Sequence, residues 1–131
     1  MLRINSTLPP ETDDLIERVI GCCITVHAAI GPGLLESVCS RAVCIELDHE
    51  AIPYEREKQI PVTYRDQLLC HHRVDIVVAQ QVILELKSVE RLNPVHRAQL
   101  LNYLRLSKLR AGLLINFNVA VLKEEIKRIV L

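Results

Sequence analysis

Three charged residues lie inside runs that otherwise belong to a protein interior. Asp75 interrupts Val74-Asp75-Ile76-Val77-Val78, and Glu85 and Lys87 interrupt Ile83-Leu84-Glu85-Leu86-Lys87 at a spacing of i, i+2. Charged side chains are rarely buried in such runs without a partner, and in a strand an i, i+2 pair projects from one face. Paired as a hairpin, the two runs place Asp75 across from the Glu85–Lys87 segment, so that two carboxylates and one ammonium converge. Two oxygen donors at the end of a sheet suit Mg²⁺ or Mn²⁺, with water and phosphate oxygens filling the remaining positions. An ammonium beside them would orient an attacking water or offset charge on phosphoryl oxygens, which outlines phosphodiester hydrolysis. The structural alternative is a half-buried ion pair between Lys87 and either acid.

Other residues form a second tier. Glu36 falls in the first turn of an expected helix, where the helix dipole favours a carboxylate. Gln99 and Tyr103, four apart, share one helix face, although Tyr103 reads equally well as a core aromatic with a wet hydroxyl. Arg97, Arg105, Lys108 and Arg110, on or just after that helix, are the candidate phosphate-contacting set. His27, near the end of a helix with an apolar face, reads as a local hydrogen-bonding residue rather than a metal ligand. His71 and His72 are adjacent in a strand, point to opposite faces and cannot share an ion. The five cysteines contain no C-x-x-C pair and read as small buried hydrophobes of a reducing compartment. Gly31-Pro32-Gly33 lacks the lysine and the preceding strand of a phosphate loop and reads as a turn between helices.

These residues need elements to hold them. Thr12, followed by Asp13 and Asp14, reads as the N-cap of a helix whose apolar positions (Leu15, Ile16, Val19, Ile20, Cys23, Val26, Ile30) recur at helical spacing. After the 31–33 turn, Leu34, Leu35, Val38, Cys39, Ala42, Val43 and Leu47 lie on the stripe of a second helix. Tyr54 to Tyr64 alternates with period two, and Pro61 marks it as an edge strand. Arg65-Asp66-Gln67 is a turn into a second strand, Leu68 to Val78, and Ala79-Gln80 a tight return into Val82–Lys87, whose continuous apolar character marks a central strand. Asn93-Pro94 opens a third helix with Val95, Leu100, Leu101 and Leu104 inward, closing near Lys108. Ala111 to Phe117 is a fourth strand, and Leu122 to Leu131 reads as either a short amphipathic helix or a return strand. The expected order is α-α-β-β-β-α-β, a mixed four-stranded sheet flanked by helices, in one domain over residues 1–131.

Composition excludes several classes. Sixteen Lys and Arg balance sixteen Asp and Glu, so bulk attraction to nucleic acid or anionic lipid is not the organising property. The two halves differ: residues 1–84 carry 7 basic and 12 acidic side chains, a net of −5, and residues 85–131 carry 9 and 4, a net of +5. A phosphate-binding face would draw on the second half. Aromatics make up 3% and Trp is absent, which leaves few stacking platforms and disfavours sequence-tolerant base stacking on aromatic rings. No apolar run reaches the roughly 20 residues of a membrane span, and the expected location is the cytoplasm.

Taken together the residues resemble the PD-(D/E)XK nuclease superfamily. Asp75, followed ten residues later by Glu85-Leu86-Lys87, is similar to its D…(D/E)-x-K core, and Gly33-Leu34-Leu35-Glu36-Ser37-Val38-Cys39 is similar to the G-x-x-E-x-x-Y signature of the small bacterial and archaeal GxxExxY proteins. The resemblance continues through Val26-His27, Gly31-Pro32-Gly33, Arg73-Val74-Asp75 and Leu113-Leu114-Ile115-Asn116-Phe117, nearly the whole chain. One position departs: the closing tyrosine of the signature is Cys39 here. The resemblance implies a restriction-endonuclease-like α/β fold and a nuclease that uses Mg²⁺ or Mn²⁺. Asp75 and Glu85 would be the metal ligands, Glu36 an auxiliary acid at the metal or its water, and Lys87 the water-orienting group. The spacing of Gln99 and Tyr103 is similar to the Q-x-x-x-Y motif of RecB-like and lambda-exonuclease-like members, which makes Gln99 a positioning residue and places Tyr103, with Arg97, Arg105 and Lys108, against nucleic acid, expected to be DNA. The alternative is a nuclease-fold module that no longer cuts and binds nucleic acid or a protein; a third reading is a homodimer whose partner supplies substrate contacts.

Overall fold

The apolar runs assemble into a mixed sheet whose middle strands are covered on both faces by helices. The computed structural model describes residues 6–131. Two helices come first, α1 (Pro10–Ile30) and α2 (Glu36–His49), followed by strands β1 (Tyr54–Tyr64), β2 (Gln67–Val78) and β3 (Val82–Lys87). Helix α3 (Pro94–Ser107), strand β4 (Ala111–Asn116), a 3₁₀ turn over Leu122–Glu125 and strand β5 (Ile126–Val130) complete the chain. The strands lie in the order β1-β2-β3-β4-β5. β3 and β4 are parallel, joined by the α3 crossover, and every other neighbouring pair is antiparallel. β1 is an edge strand, which accommodates the missing amide of Pro61.

The sheet has five strands, one more than the sequence suggests. Residues 126–130 pair with β4 from Ile115↔Ile126 to Ala111↔Val130. β4 is buried along its whole length, and without a neighbour its outer amides and carbonyls would be unpaired away from water, so the ladder decides between helix and strand here.

Two apolar clusters form, one on each face. Helices α1 and α2 cover Ile76, Val78, Val82, Leu84, Leu86, Leu113 and Ile115. Helix α3 covers Ile60, Val74, Val77, Ile83, Leu114 and Ile129 through Leu100, Tyr103 and Leu104. Gly112 of β4 lets α3 approach: a Cβ there would stand 2.9 Å from a methyl of Leu100.

Helix ends depart from the sequence reading in three places. α1 starts at Pro10, not after a Thr12 cap; proline suits a first helical position, and the Thr12 hydroxyl instead donates to Gln81 Oε1 at 2.8 Å. α2 starts at Glu36, leaving Leu34 and Leu35 outside it, and its buried stripe begins at Cys39; Leu34, Leu35 and Val38 are exposed. In α3, Val95 is exposed rather than inward, while Asn93 caps the helix by accepting from the Val95 amide at 2.9 Å, and its own amide donates to His96 Nδ1 at 3.2 Å.

Candidate functional site

The ladder between β2 and β3 runs from Val78↔Val82 only as far as Ile76↔Leu84. At the next step the strands part, and two side chains take over the pairing. The Asp75 amide donates to Glu85 Oε1 at 3.0 Å, and the Leu86 amide donates to Asp75 Oδ2 at 2.8 Å. Alternation along β2 slips at the same point: Val74 and Val77 both pack with α3, and Ile76 between them packs on the opposite face. On β1, Glu57 stands across from Asp75 and takes a positive φ of 53°. The β1–β2 register is the same on both sides of this point, Arg56↔Ile76 and Lys58↔Val74, so it is a local backbone irregularity rather than a bulge. Beyond it β1 and β2 continue as a two-stranded ribbon whose residues 67–73 are all exposed.

The electrostatics follow from this placement. Glu85 is buried, and its carboxyl is pushed up to about 7, first by burial and then by the neighbouring Asp75 charge, with the Asp75 amide and Lys87 opposing and Glu36 adding to the rise. Burial likewise raises Asp75, against the Leu86 amide and Lys87. Lys87 and Glu36 therefore act on both acids through space. The Tyr103 phenol is also pushed up, by burial and then by the charges of Glu85 and Asp75.

The donor set fits a hard divalent cation in its chemistry. Each carboxylate commits one oxygen to a backbone amide of the other's strand and has a second. Burial opposes the charge of both acids, and the Asp75 charge further opposes that of Glu85; a divalent ion would offset both charges. Among the described residues no three His, Cys, Asp or Glu side chains come together as a ready-made metal cage. Glu36 is exposed at the start of α2 and lines a cleft of about 640 Å³ with Gly33, Ser37, Ser88 and Asn118. Mg²⁺ is commonly held by one or two carboxylates with water and phosphate oxygens completing its shell.

The remaining sequence candidates divide. Gln99, Tyr103 and Arg105 line one groove on α3. Arg97, two residues from Gln99, projects from the opposite side of the helix, and Lys108 is the left-handed cap at its far end, with φ 60°. Arg110 is engaged elsewhere, donating to the carbonyl and hydroxyl oxygens of Thr7 at 3.1 Å each. His27 Nε2 bonds the Val119 carbonyl oxygen at 2.8 Å, and its ring meets Phe117 edge-on. His71 and His72 are both exposed, and only His72 reaches Tyr103. Cys39 is buried in the α1–α2 cluster, and burial pushes its thiol up.

Three residues at the cleft escaped the sequence reading. Asn116, fully buried, accepts from the Val89 and Asn118 amides and donates to the Val89 carbonyl, clamping the segment that follows Lys87. Its signal was present: an amide inside an apolar strand, by the logic that singled out Asp75. Ser88 donates to the Leu34 carbonyl oxygen at 2.6 Å and so ties the end of β3 to the loop before α2. Asn118 completes the cleft wall; neither Ser88 nor Asn118 stands out in the sequence.

No curated protein and no solved structure matches the chain. A family model described as PD-(D/E)XK nuclease superfamily matches residues 13–129, a span that contains Glu36, Asp75, Glu85, Lys87 and Gln99 within a five-stranded mixed sheet flanked by helices. The chain belongs to the PD-(D/E)XK nuclease superfamily.

Proposed function

We propose that the protein is a divalent-metal-dependent nuclease that hydrolyses phosphodiester bonds in nucleic acid, expected to be DNA, and that it is one of the GxxExxY proteins. The observation that carries the reading is the reciprocal hold of half-buried Asp75 and buried Glu85 on each other's strand, which keeps the two carboxylates together at the point where β2 and β3 separate. Burying two like charges side by side is unfavourable without a cation to offset them, and a fold that needed only stability would gain from neutral residues there.

In this reading Asp75 and Glu85 hold Mg²⁺ or Mn²⁺. A bound ion would acidify its water and polarise the phosphoryl oxygen. Lys87, acting on both acids, orients the attacking water and offsets charge on the phosphoryl oxygens. Glu36 serves as an auxiliary acid at the metal or its water, consistent with its exposure and its action on both acids. Gln99 and Tyr103 position the strand from α3, with Arg105 toward its phosphates; Arg97 and Lys108, on other parts of that helix, would contact the strand farther along. The buried position of Cys39 supports a packing role for the signature tyrosine it replaces.

The pairing of two carboxylates rather than three donors favours, as a second reading, a module that retains the fold and binds without cutting. Calorimetric titration of Mg²⁺ and Mn²⁺ into the wild type and Asp75→Ala, followed by a cleavage assay on labelled single- and double-stranded DNA, separates the two. Binding lost in Asp75→Ala together with metal-dependent cutting by the wild type is the expected result. Nucleic-acid binding with no dependence on Mg²⁺ and no cutting would establish the inactive module.

A further inference from the structure

Between the projecting β1–β2 ribbon and α3 lies a groove of about 320 Å³, lined by His72, Gln99, Asn102, Tyr103 and Arg105 over Val62. We propose that this groove receives one unpaired nucleobase next to the phosphate that is cut, so that the substrate is a strand that is single-stranded at that point. The inference rests on the nuclease reading for the position of that phosphate.

Four features support it. Tyr103 forms a wall of the groove and packs in one cluster with Val74, the β2 neighbour of Asp75, and His72 of the same wall lies three residues before Asp75 on β2, so the groove adjoins the acids. His72 is exposed, and its ring rests on the buried Tyr103 ring at 5.3 Å between centroids and a tilt of 56°. A flat ring held in place from behind presents a π face to a base; in a chain with 3% aromatics, this contact is the place where such a platform is assembled. Gln99 and Asn102, both exposed on the same flank of α3, offer amide donors and acceptors to a base edge. Arg105 adds a cation for the adjoining phosphate. The size is the discriminating property. A ligand pocket of this volume is at the small end of the usual range, and it is bounded by a helix on one side and a ribbon on the other. A base must leave its stack to enter, as in enzymes that extrude a nucleotide.

The test uses the full chain and short DNA and RNA oligonucleotides carrying 2-aminopurine at one position at a time, titrated in EDTA and in Ca²⁺, with the same strands annealed to their complements as controls. The expected result is quenching confined to one or two adjacent positions of the single strand and abolished in the duplex. His72→Ala should weaken binding about tenfold and restore the fluorescence, Asn102→Ala should do so to a smaller extent, and Asp75→Ala should retain the quenching. His72 and Asn102 are exposed, so both variants should melt with the wild type. Absence of oligonucleotide binding, equal fluorescence at every position, equal quenching in the duplex, or wild-type behaviour of His72→Ala would each overturn the groove assignment. Position-specific quenching without metal binding or cutting would refute the nuclease reading and leave the groove standing. Metal-dependent cutting without it would refute the groove alone.

Discussion

Glu85 is the residue whose environment makes the sharpest demand. Its carboxyl is raised from an ordinary 4.5 to about 7, chiefly by burial and then by Asp75, so folding favours the neutral form. The stabilisation from that neutral carboxyl is complete below pH 4.5 and is lost as the pH rises through about 7, and raised Asp75 acts in the same direction. In EDTA the wild type should therefore lose more stability between pH 5 and pH 8 than Glu85→Gln, by about 1–3 kcal/mol, as read by calorimetric melting. Saturating Mg²⁺ at pH 8 should raise the melting temperature of the wild type and leave that of Glu85→Gln nearly unchanged. A wild type and variant that track each other across this range would show that the two acids do not share a buried charge. Lys87 separates binding from chemistry. Lys87→Ala should keep the metal isotherm while lowering the cleavage rate by about 10²-fold, and an equal loss of metal affinity would make Lys87 part of the binding site instead.

The elements that carry these residues are set by a few close contacts. Helix α3 sits low on β4, where Tyr103 packs with Val74 and Ile83 near the acids in sequence, and Gly112 permits it: a Cβ would press on the fully buried Leu100. Gly112→Ala should cost about 1–3 kcal/mol in urea denaturation, and Leu100→Val in the same chain should recover part of it by shortening the opposing side chain. A neutral Gly112→Ala would show that α3 is not held at this point. At the same scale the limits of sequence reasoning are visible. β3 and β4 are legible because their runs are apolar throughout, and β1 because it alternates and carries Pro61. β5 is not, since only Ile129 is well buried within it and its state is decided by the open side of β4. The start of α2 is misread because Leu34 and Leu35 are exposed apolar residues lining a cleft, not core, and helical spacing alone does not distinguish the two.

For the whole molecule, the Asp75, Glu85 and Lys87 constellation is legible because charge inside an apolar strand demands a partner, and the hairpin supplies it. The cationic half was readable only as a total. The fold divides it, with Arg105 in the groove, Arg97 and Lys108 on other parts of α3, and Arg110 tied to Thr7, 103 residues away in the chain. No local pattern encodes such a contact, nor the meeting of His72 with Tyr103 across two elements. Among the described residues no helix is long and apolar enough to cross a membrane, and the two helix layers cover the sheet on either face around the point where β2 and β3 part.

That point can be probed without any assay of activity. Substoichiometric Mn²⁺ added to ¹⁵N-labelled protein broadens amide signals close to the ion, and the Asp75 and Leu86 amides, which donate to the two carboxylates, report on the pair directly. They should broaden first in the wild type and stay sharp in Asp75→Ala, whose fold is verified by the rest of the spectrum. Broadening that begins elsewhere, or that persists unchanged at these amides in Asp75→Ala, would contradict a divalent-metal site built on Asp75 and Glu85.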